Sequence, residues 1–338
     1  MVSGWLWPLA AGGLTAALCR WILDPASPLH VLDQPGHRSL HARPTPRTGG
    51  LAMMVAVGVV AAVAVAAGWV TAPAWLAWIA GGTVLLVAVG LADDLADLSP
   101  ALRLGVQLVA AALVLVAGLA PQGVRLPGFE WTPPPALAAL FTLLLVLWMT
   151  NLYNFMDGMD GLAGTMTLVG FGTLGWLTGD PALRLAAWSL AGAAAGFLWF
   201  NRPPARLFMG DAGAPVLGYL AAVLLLWAAR RGELPLWAGG LVFSPFVVDA
   251  TYTLIRRSLR GERIWQAHCS HLYQKLVRRG WSHRRVLVHA LGLMLAAAVS
   301  AGLATRLPPA AQAALAGGWL LFYAGLILAV ERYTAELA

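Results

Sequence analysis

The chain has 338 residues, of which 59% are hydrophobic and 11% charged, with a formal net charge of +7 and a mean hydropathy of +0.73. Soluble domains carry about 25% charged residues, so the composition excludes a soluble globular protein and indicates a polytopic membrane protein. The two cysteines support neither a disulfide framework nor a thiolate metal site.

Apolar stretches long enough to cross the membrane follow one another along the chain. They predict an all-α fold with about eleven transmembrane helices, each crossing ~30 Å of hydrocarbon, in a single catalytic domain of residues 1–338. In chain order, the predicted spans are 4–23, 49–70, 74–92, 102–120, 136–152, 162–179, 183–200, 212–229, 236–255, 286–304 and 311–331.

The distribution of basic residues predicts the orientation in the membrane. Alternate loops, together with the C-terminal tail, hold most of the 22 lysines and arginines, and such loops are usually cytoplasmic. This places the N-terminus outside and the C-terminus inside. The basic face suits anionic membrane lipids, and we do not expect nucleic acid as a partner. The predicted cytoplasmic loops are 24–48, 93–103, 154–161, 201–211 and 256–285.

The stretch "GLADDLADLSP" places three carboxylates close together. On a helix, Asp97 would lie on the same face as Asp93 and Asp94, because it follows them by four and three residues. They would repel one another without a counterion, so the pattern predicts a bound cation. The alternative is that they merely separate two spans, since Ser99 and Pro100 suit the N-cap and first residue of a helix.

The stretch "NLYNFMDGMDGLAG" follows an apolar span directly and introduces polar side chains at steps of three. These are Asn151, Asn154, Asp157 and Asp160. Each step of three rotates a helix face by about 60°, so a continuous helix would spread them. An interruption near Gly158 would let them converge on one cavity. Polar contacts between helices are the alternative.

The stretch "WFNRPPARLFMGDAGAPVLG" contains two prolines that preclude ordinary helix. Its "GDAGAP" segment predicts a tight turn with Asp211 just ahead of a span. Phe208, three residues earlier, suits stacking on a flat ring and equally suits an interfacial aromatic.

The stretch "RGERIWQAHCSHLYQKLVRRG" places His268 and His271 three residues apart among basic side chains. Two histidines are a weak zinc signal. Basic residues beside imidazoles favour an anionic ligand such as phosphate, and a solvated basic loop is the alternative.

Carboxylates and phosphate-binding residues on one face together predict Mg²⁺ and phosphoryl transfer. Mg²⁺ prefers oxygen ligands and is commonly held by one or two carboxylates plus substrate phosphates. Because these residues lie at the lipid boundary, a phospholipid-like donor or acceptor is expected.

Five stretches resemble the bacterial polyprenyl-phosphate N-acetylhexosamine-1-phosphate transferases, in the same order and on one predicted side. They are "LDQPGHRSLHARPTPRTGG", "DDLADL", "NLYNFMDGMDGLAG", "WFNRPPARLFMGDAGAPVLG" and "RGERIWQAHCSHLYQKL". The resemblance implies transfer of a sugar 1-phosphate from a UDP-N-acetylhexosamine to undecaprenyl phosphate, with release of UMP. It also implies Mg²⁺, with Mn²⁺ as an alternative, and a bacterial cytoplasmic (inner) membrane enzyme whose active site faces the cytoplasm.

The resemblance assigns roles to individual carboxylates. It implies that Asp211 ligates Mg²⁺ and that Asp93, Asp94 and Asp157 are catalytic. Asp93 and Asp94 would engage the lipid phosphate or the metal. We favour direct attack of the lipid phosphate on the β-phosphorus, and a covalent intermediate on Asp157 or Asp94 remains the alternative.

The resemblance assigns other residues to substrate binding: Arg43, Asn154, Asp160, Asn201, Phe208, His268 and His271. Among them, Phe208 would stack on uracil, and Arg43 would lie near the nucleotide.

Departures from the family pattern bear on the sugar. Many relatives have adjacent histidines where Cys269 and Ser270 separate them here, which leaves the role of each histidine undecided. Asp97 is typical of the branch that uses simple sugars, and "AHCSHLYQ" resembles initiators of O-antigen that use 6-deoxy sugars. The sequence leaves a homodimer open. An ion-coupled membrane transporter is the competing hypothesis, in which intramembrane carboxylates would relay protons.

Overall fold

The computed structural model describes residues 5–36, 40, 43–263 and 268–335. The first residue of the span predicted at 4–23 and parts of two family-like stretches, 37–39, 41–42 and 264–267, lie outside the described residues. The helices are α1 (Leu6–Ile22), α2 (Gly49–Ala66), α3 (Leu76–Ala96), α4 (Pro100–Val116), α5 (Pro135–Met156), α6 (Leu162–Leu177), α7 (Pro181–Asn201), α8 (Ala214–Arg230), α9 (Leu236–Val242), α10 (Ser244–Leu259), α11 (Leu272–Arg278), α12 (His283–Ala304) and α13 (Pro309–Ala335).

Two short antiparallel hairpins accompany these helices. Strands β1 (Leu32–Asp33) and β2 (Thr45–Pro46) form one hairpin, and β3 (Val124–Leu126) and β4 (Phe129–Trp131) form the other. The predicted all-α fold is confirmed, since the hairpins cover few residues.

Every predicted span falls on a helix or on a pair of helices. Six of the described helices are long and apolar enough to cross a membrane, and the α9–α10 pair would make a seventh. Shorter apolar helices occupy three other predicted spans, α4, α6 and α8. The prediction of about eleven crossings of ~30 Å stays a prediction.

The span predicted at 236–255 is not one straight helix. The axes of α9 and α10 differ by 85°. Pro245 lies in the first turn of α10, where its ring and missing N–H prevent the preceding helix from continuing. The Ser244 hydroxyl compensates for the break by donating to the Leu241 carbonyl over 2.6 Å.

The loop predicted at 256–285 is partly helical. It contains the end of α10, all of α11 and the start of α12. The side chain of Asp249, within α10, accepts hydrogen bonds from the backbone N–H groups of Leu272 (2.9 Å) and Tyr273 (3.1 Å). A carboxylate at this position stabilises the first turn of α11.

The predicted cytoplasmic loops meet at one end of the helix bundle. The backbone N–H of Phe208 donates to the Pro46 carbonyl over 2.7 Å, which joins the hairpin β1–β2 to the loop before α8. Asp94, near the end of α3, accepts a hydrogen bond from the backbone of Asp211 in that same loop.

Asp160 connects three further segments at this end. It lies between α5 and α6 and accepts a hydrogen bond from the backbone N–H of Ala205, after α7, over 3.0 Å. The same carboxylate oxygen lies 3.2 Å from Nδ1 of His283, the first residue of α12. The fold thus gathers segments distant in sequence around one cavity.

Candidate active site

A polar cavity of about 270 Å³ lies where these loops meet. Seven of the eleven predicted site residues line it: Asp94, Asn154, Asp157, Asp160, Asn201, Phe208 and Asp211. The lining also contains Asp33, Arg47, Gln274 and His283, which were not predicted. Four predicted residues are not part of the lining: Arg43, Asp93, His268 and His271.

Asp94 is held by the turn that precedes α8. Its two carboxylate oxygens accept hydrogen bonds from the backbone N–H groups of Asp211 (3.2 Å) and Ala212 (3.3 Å). The Arg47 guanidinium also donates to the Asp94 carbonyl and lies 3.5 Å from its carboxylate. With its side chain 1% exposed, Asp94 is fixed by the protein and orients the turn that carries Asp211.

Two glycines allow α3 and the residues around Arg47 to approach the turn that carries Asp211. Gly90 of α3 packs directly against the Asp211 backbone, and a Cβ there would overlap the Asp211 carbonyl. Gly210 adopts φ +74°, which favours glycine. A Cβ at Gly210 would overlap the Arg47 carbonyl and come within 2.8 Å of the Asp94 carboxylate.

Asp93 lies outside the cavity lining, in an ion pair. Its carboxylate accepts a hydrogen bond from Arg103 over 2.7 Å and another from the Leu98 backbone over 2.6 Å. Arg103 also lies 3.9 Å from the Asp211 carboxylate. Asp93 therefore lies next to the site, where it pairs with Arg103 and contacts Asp211.

Asp97 does not join the carboxylate group, so the expectation that all three aspartates share one sector is wrong. Asp97 ends α3 with a left-handed backbone, at φ 52°, and its side chain is exposed. Because the helix ends before this residue, helical spacing does not apply to it. The capping expectation is confirmed nearby, where Ser99 Oγ accepts a hydrogen bond from the Leu102 N–H and Pro100 begins α4.

The surroundings of Asp211 and Asp157 disfavour their ionised forms. Burial, the Asp93 hydrogen bond and the charges of Asp94 and Asp93 raise the pKa of Asp211 to about 8, against an opposing effect of Arg103. Burial and the charges of Asp211 and Asp94 raise the pKa of Asp157 well above its usual value. A cation between these carboxylates would relieve this repulsion.

The interruption predicted near Gly158 is confirmed, since α5 ends at Met156 and α6 begins at Leu162. Asn154, Asp157 and Asp160 reach the cavity as a result. Asn151 does not, because its amide nitrogen donates to Gln107 of α4 and to the Leu147 carbonyl, each over 2.8 Å.

The side chain of Asn201 links two segments of the cavity wall by hydrogen bonds. Its amide oxygen accepts a hydrogen bond from the Gly161 N–H over 2.9 Å, and its amide nitrogen donates to the Leu207 carbonyl over 2.9 Å. Both groups of the buried amide are thus engaged within the protein. Since Gly161 follows Asp160 and Leu207 precedes Phe208, Asn201 holds these two cavity residues in neighbouring positions.

Arg47 lines the cavity, whereas the predicted Arg43 does not. Arg43 is exposed and outside the cavity lining, whereas Arg47 lines the cavity and lies 3.5 Å from the carboxylate of Asp33. Arg47 lies just before Gly49 and Gly50, whose N–H groups donate to the carbonyls of Phe208 and Met209, and this contact between distant segments is not visible in the sequence.

The two histidines of the 256–285 loop pack against each other outside the polar cavity. Their ring centroids are 4.9 Å apart, and His271 is buried with Nδ1 3.2 Å from Asp249. Burial, followed by the charges of His271, Arg257 and Arg256, lowers the pKa of His268 to about 4. A neutral imidazole can still form hydrogen bonds, so the substrate-binding role of His268 stays a prediction.

A second, largely apolar cavity of about 800 Å³ is lined in part by chain neighbours of the residues that line the polar one. At two places, consecutive residues line different cavities. Met156 and Tyr273 line the apolar cavity, whereas Asp157 and Gln274, which follow them, line the polar one. Helix α13 supplies one wall of the apolar cavity. This proximity suits a ligand with a polar head and an apolar chain.

The carboxylates fit the chemistry of Mg²⁺ without forming a closed ligand cage. Among the residues that the structure describes, no group of three His, Cys, Asp or Glu side chains is arranged as a metal site. Mg²⁺ usually keeps several waters and takes only one or two carboxylates together with substrate phosphates. Asp211, Asp157 and Asp94 supply oxygen donors of this kind, and their mutual repulsion favours a cation.

Fold and site together define a multi-pass membrane protein with a carboxylate cavity beside an apolar one, a layout suited to an enzyme that joins a water-soluble anion to a lipid. Residues 75–229 match the model of glycosyl transferase family 4. The chain is 32% identical to a probable undecaprenyl-phosphate N-acetylglucosaminyl 1-phosphate transferase of Bacillus subtilis, with 78% of this chain and 75% of the relative covered.

Two further relatives support the same assignment. A decaprenyl-phosphate N-acetylglucosaminephosphotransferase of Mycobacterium tuberculosis is 31% identical, with 89% of each chain covered. A phospho-N-acetylmuramoyl-pentapeptide-transferase of Synechococcus is 33% identical, with 78% of this chain and 80% of the relative covered. The chain belongs to the polyprenyl-phosphate N-acetylhexosamine-1-phosphate transferase family, and it is an enzyme of sugar-1-phosphate transfer.

Proposed function

We propose that the protein transfers an N-acetylhexosamine 1-phosphate from a UDP-sugar to undecaprenyl phosphate and releases UMP. The observation that carries this proposal is the wall between the two cavities, here called their junction: Met156 and Tyr273 line the apolar cavity, and the residues that follow them, Asp157 and Gln274, line the polar one. The names of the relatives agree with a polyprenyl-phosphate acceptor and an N-acetylated sugar donor.

The apolar cavity suits the isoprenoid chain of the acceptor. It is bounded by α10, α11, α12 and α13, and its lining is almost wholly hydrocarbon. Burial of an apolar chain contributes about 0.8 kcal/mol per methylene. The phosphate head would then lie at the junction, beside Asp157.

The donor suits the polar cavity. Asn154 and Asp160 offer hydrogen-bonding groups there, and Phe208 offers an aromatic surface. Arg47 is the arginine in this lining and provides a fixed positive charge for the donor diphosphate. Its guanidinium is oriented by Asp33 and Asp94, and such bracing reduces reorganisation on binding.

We favour direct transfer for the chemical step. An oxygen of the lipid phosphate attacks the β-phosphorus of the donor, the bond to the oxygen bridging the two phosphorus atoms breaks, and its electron pair leaves with UMP. Bound Mg²⁺, or Mn²⁺ in its place, would neutralise charge on the phosphates. Asp94 is a poor covalent nucleophile because both of its oxygens accept backbone hydrogen bonds, which leaves Asp157 as the candidate for a covalent alternative.

We propose that the site faces the cytoplasm of a bacterial inner membrane, because the loops around the cavity are those rich in basic residues. We further propose a 6-deoxy sugar donor and an O-antigen product, on the basis of the amino-acid sequence "AHCSHLYQ" in the histidine loop.

The decisive assay incubates purified protein with undecaprenyl phosphate and a panel of UDP-N-acetylhexosamines, and measures UMP. We expect release with at least one donor that depends on both the lipid and a divalent cation. Omission of the lipid is the control for simple hydrolysis. If no donor releases UMP, the proposed pairing of a UDP-N-acetylhexosamine with undecaprenyl phosphate is wrong.

A further inference from the structure

His283 lines the polar cavity but has no part in the transfer step proposed for it. It is the first residue of α12, and its ring lines the polar cavity while its side chain is 17% exposed. Val286, one turn later in α12, lines the apolar cavity instead. The start of α12 thus separates the two cavities, with His283 on the donor side.

The ring of His283 is oriented by Asp160. Nδ1 lies 3.2 Å from the carboxylate oxygen of Asp160 that also accepts the Ala205 N–H. A carboxylate facing a ring nitrogen selects the tautomer with its proton on that nitrogen. In the neutral ring Nε2 is then an acceptor, and it is the nitrogen left to contact a ligand.

The pair lines the same cavity as the aromatic ring of Phe208. Asn201 links Gly161, next to Asp160, to Leu207, next to Phe208. The positions of Asp160 and Phe208 on one cavity wall are therefore fixed by a single buried amide. A flat base stacked on Phe208 would direct its edge toward groups on the same wall.

We propose, resting on the proposed function, that His283 is a specificity-determining residue that contacts the edge of the donor's nucleobase through Nε2. Uracil carries an imide N–H that can donate to this nitrogen. Cytosine has an unprotonated ring nitrogen at the same place, which would face the lone pair of Nε2. A site built to receive a hydrogen bond discriminates against a ligand that lacks the donor.

Two substitutions separate ligand contact from support of Asp160. In His283→Asn the amide nitrogen can replace Nδ1–H toward Asp160 but nothing replaces Nε2. In His283→Gln the longer side chain can place an amide oxygen near the position of Nε2. We expect His283→Asn to raise the donor KM and the UMP inhibition constant about tenfold, as for loss of a hydrogen bond of roughly 1.4 kcal/mol. His283→Gln should show a smaller rise.

The ratio of CMP to UMP inhibition constants should fall toward one in His283→Asn, while the KM for undecaprenyl phosphate stays unchanged. The matched control is Arg284→Gln, which removes a basic side chain from the adjacent, exposed position outside the cavity lining. It should leave the UMP inhibition constant unchanged.

The inference is overturned if His283→Asn keeps the wild-type UMP inhibition constant, since the ring would then only support Asp160. It is also overturned if both variants lose UMP affinity equally with a lowered Tm. Calorimetric titration of UMP into the wild type and both variants measures the contact without turnover. Absence of UMP release by the wild type would therefore count against the proposed function, and unchanged UMP binding in the variants against His283.

Discussion

Arg103 donates to the Asp93 carboxylate over 2.7 Å and approaches the Asp211 carboxylate to 3.9 Å. Asp93 and Asp211, the carboxylate expected to bind metal, thus share one cation, and Asp93 also contacts Asp211 directly. This arrangement makes Asp93 a candidate positioning residue for Asp211, and its contact with the lipid phosphate or the metal stays a prediction.

Removal of Arg103 alone should destabilise the protein more than removal of both partners. Arg103→Met leaves the Asp93 carboxylate buried without its cation. We expect a loss of about 1–3 kcal/mol, below the 3–5 typical of fully buried pairs because the Arg103 side chain is 34% exposed. Thermal unfolding in detergent would test this, with Arg103→Met/Asp93→Asn recovering part of the lost Tm. A double variant less stable than Arg103→Met would contradict the pairing.

Asp211→Asn should remove turnover while the protein stays folded in the membrane. Asparagine keeps the size and one oxygen of the side chain but loses the charge that would hold Mg²⁺. We expect at least about a hundredfold loss of UMP release, since metal stabilisation of phosphoryl transfer is worth several kcal/mol. Asp97→Asn is the matched control, because Asp97 is exposed and outside the cavity. Near-normal activity of Asp211→Asn would remove Asp211 from the metal site.

The sequence predicted correctly those features that depend on residues close together in the chain. The helical segments, the interruption before Leu162 and the cap at Ser99 follow from composition, glycine spacing and capping residues, and each is present in the structure. The convergence of the acidic loops could also be predicted, because isolated carboxylates near hydrocarbon are costly.

The partners of the carboxylates could not be predicted in the same way. Arg47, Arg103 and His283 reach the site region from separate segments, and only tertiary packing decides that these basic side chains lie near its carboxylates. No periodicity in the sequence relates such distant positions.

Phe208→Ala should weaken binding of the UDP-sugar and not of the lipid. Base stacking on an aromatic side chain contributes about 1–3 kcal/mol, which corresponds to a rise of roughly 5- to 150-fold in the donor KM. Steady-state kinetics with each substrate varied in turn would measure this. Phe129→Ala is the control, since Phe129 lies exposed in the β3–β4 hairpin. An unchanged donor KM in Phe208→Ala would make Phe208 an ordinary interfacial aromatic.

The membrane orientation can be tested with two fusions. Gly128 lies in the turn of the β3–β4 hairpin, and Arg279 follows α11 in the basic loop. Reporters fused after these residues should report opposite sides of the membrane, with Gly128 outside and Arg279 inside. Alkaline phosphatase and fluorescent protein fusions provide complementary readouts. The same side for both sites would overturn the proposed topology.

Without a divalent cation, stability should fall as the pH rises. Burial and neighbouring carboxylates raise the pKa of Asp211 to about 8, whereas an aspartate in the unfolded chain has a pKa of about 3.9. Between these values the unfolded chain has lost a proton that the native protein retains, so raising the pH favours unfolding until the native carboxyl also ionises. Asp157 contributes in the same direction.

Thermal unfolding in EDTA should therefore show a Tm that declines from about pH 4 to about pH 8, and Mg²⁺ should reduce the decline because it binds the ionised carboxylates. Asp211→Asn cannot ionise at this position, so its Tm should depend less on pH than that of the wild type, while Asp97→Asn should follow the wild type. The apparent affinity for Mg²⁺ should rise over the same range. A wild-type Tm that increased with pH in EDTA would show that Arg47 and Arg103 already neutralise the carboxylates, and that their charge does not call for a metal ion.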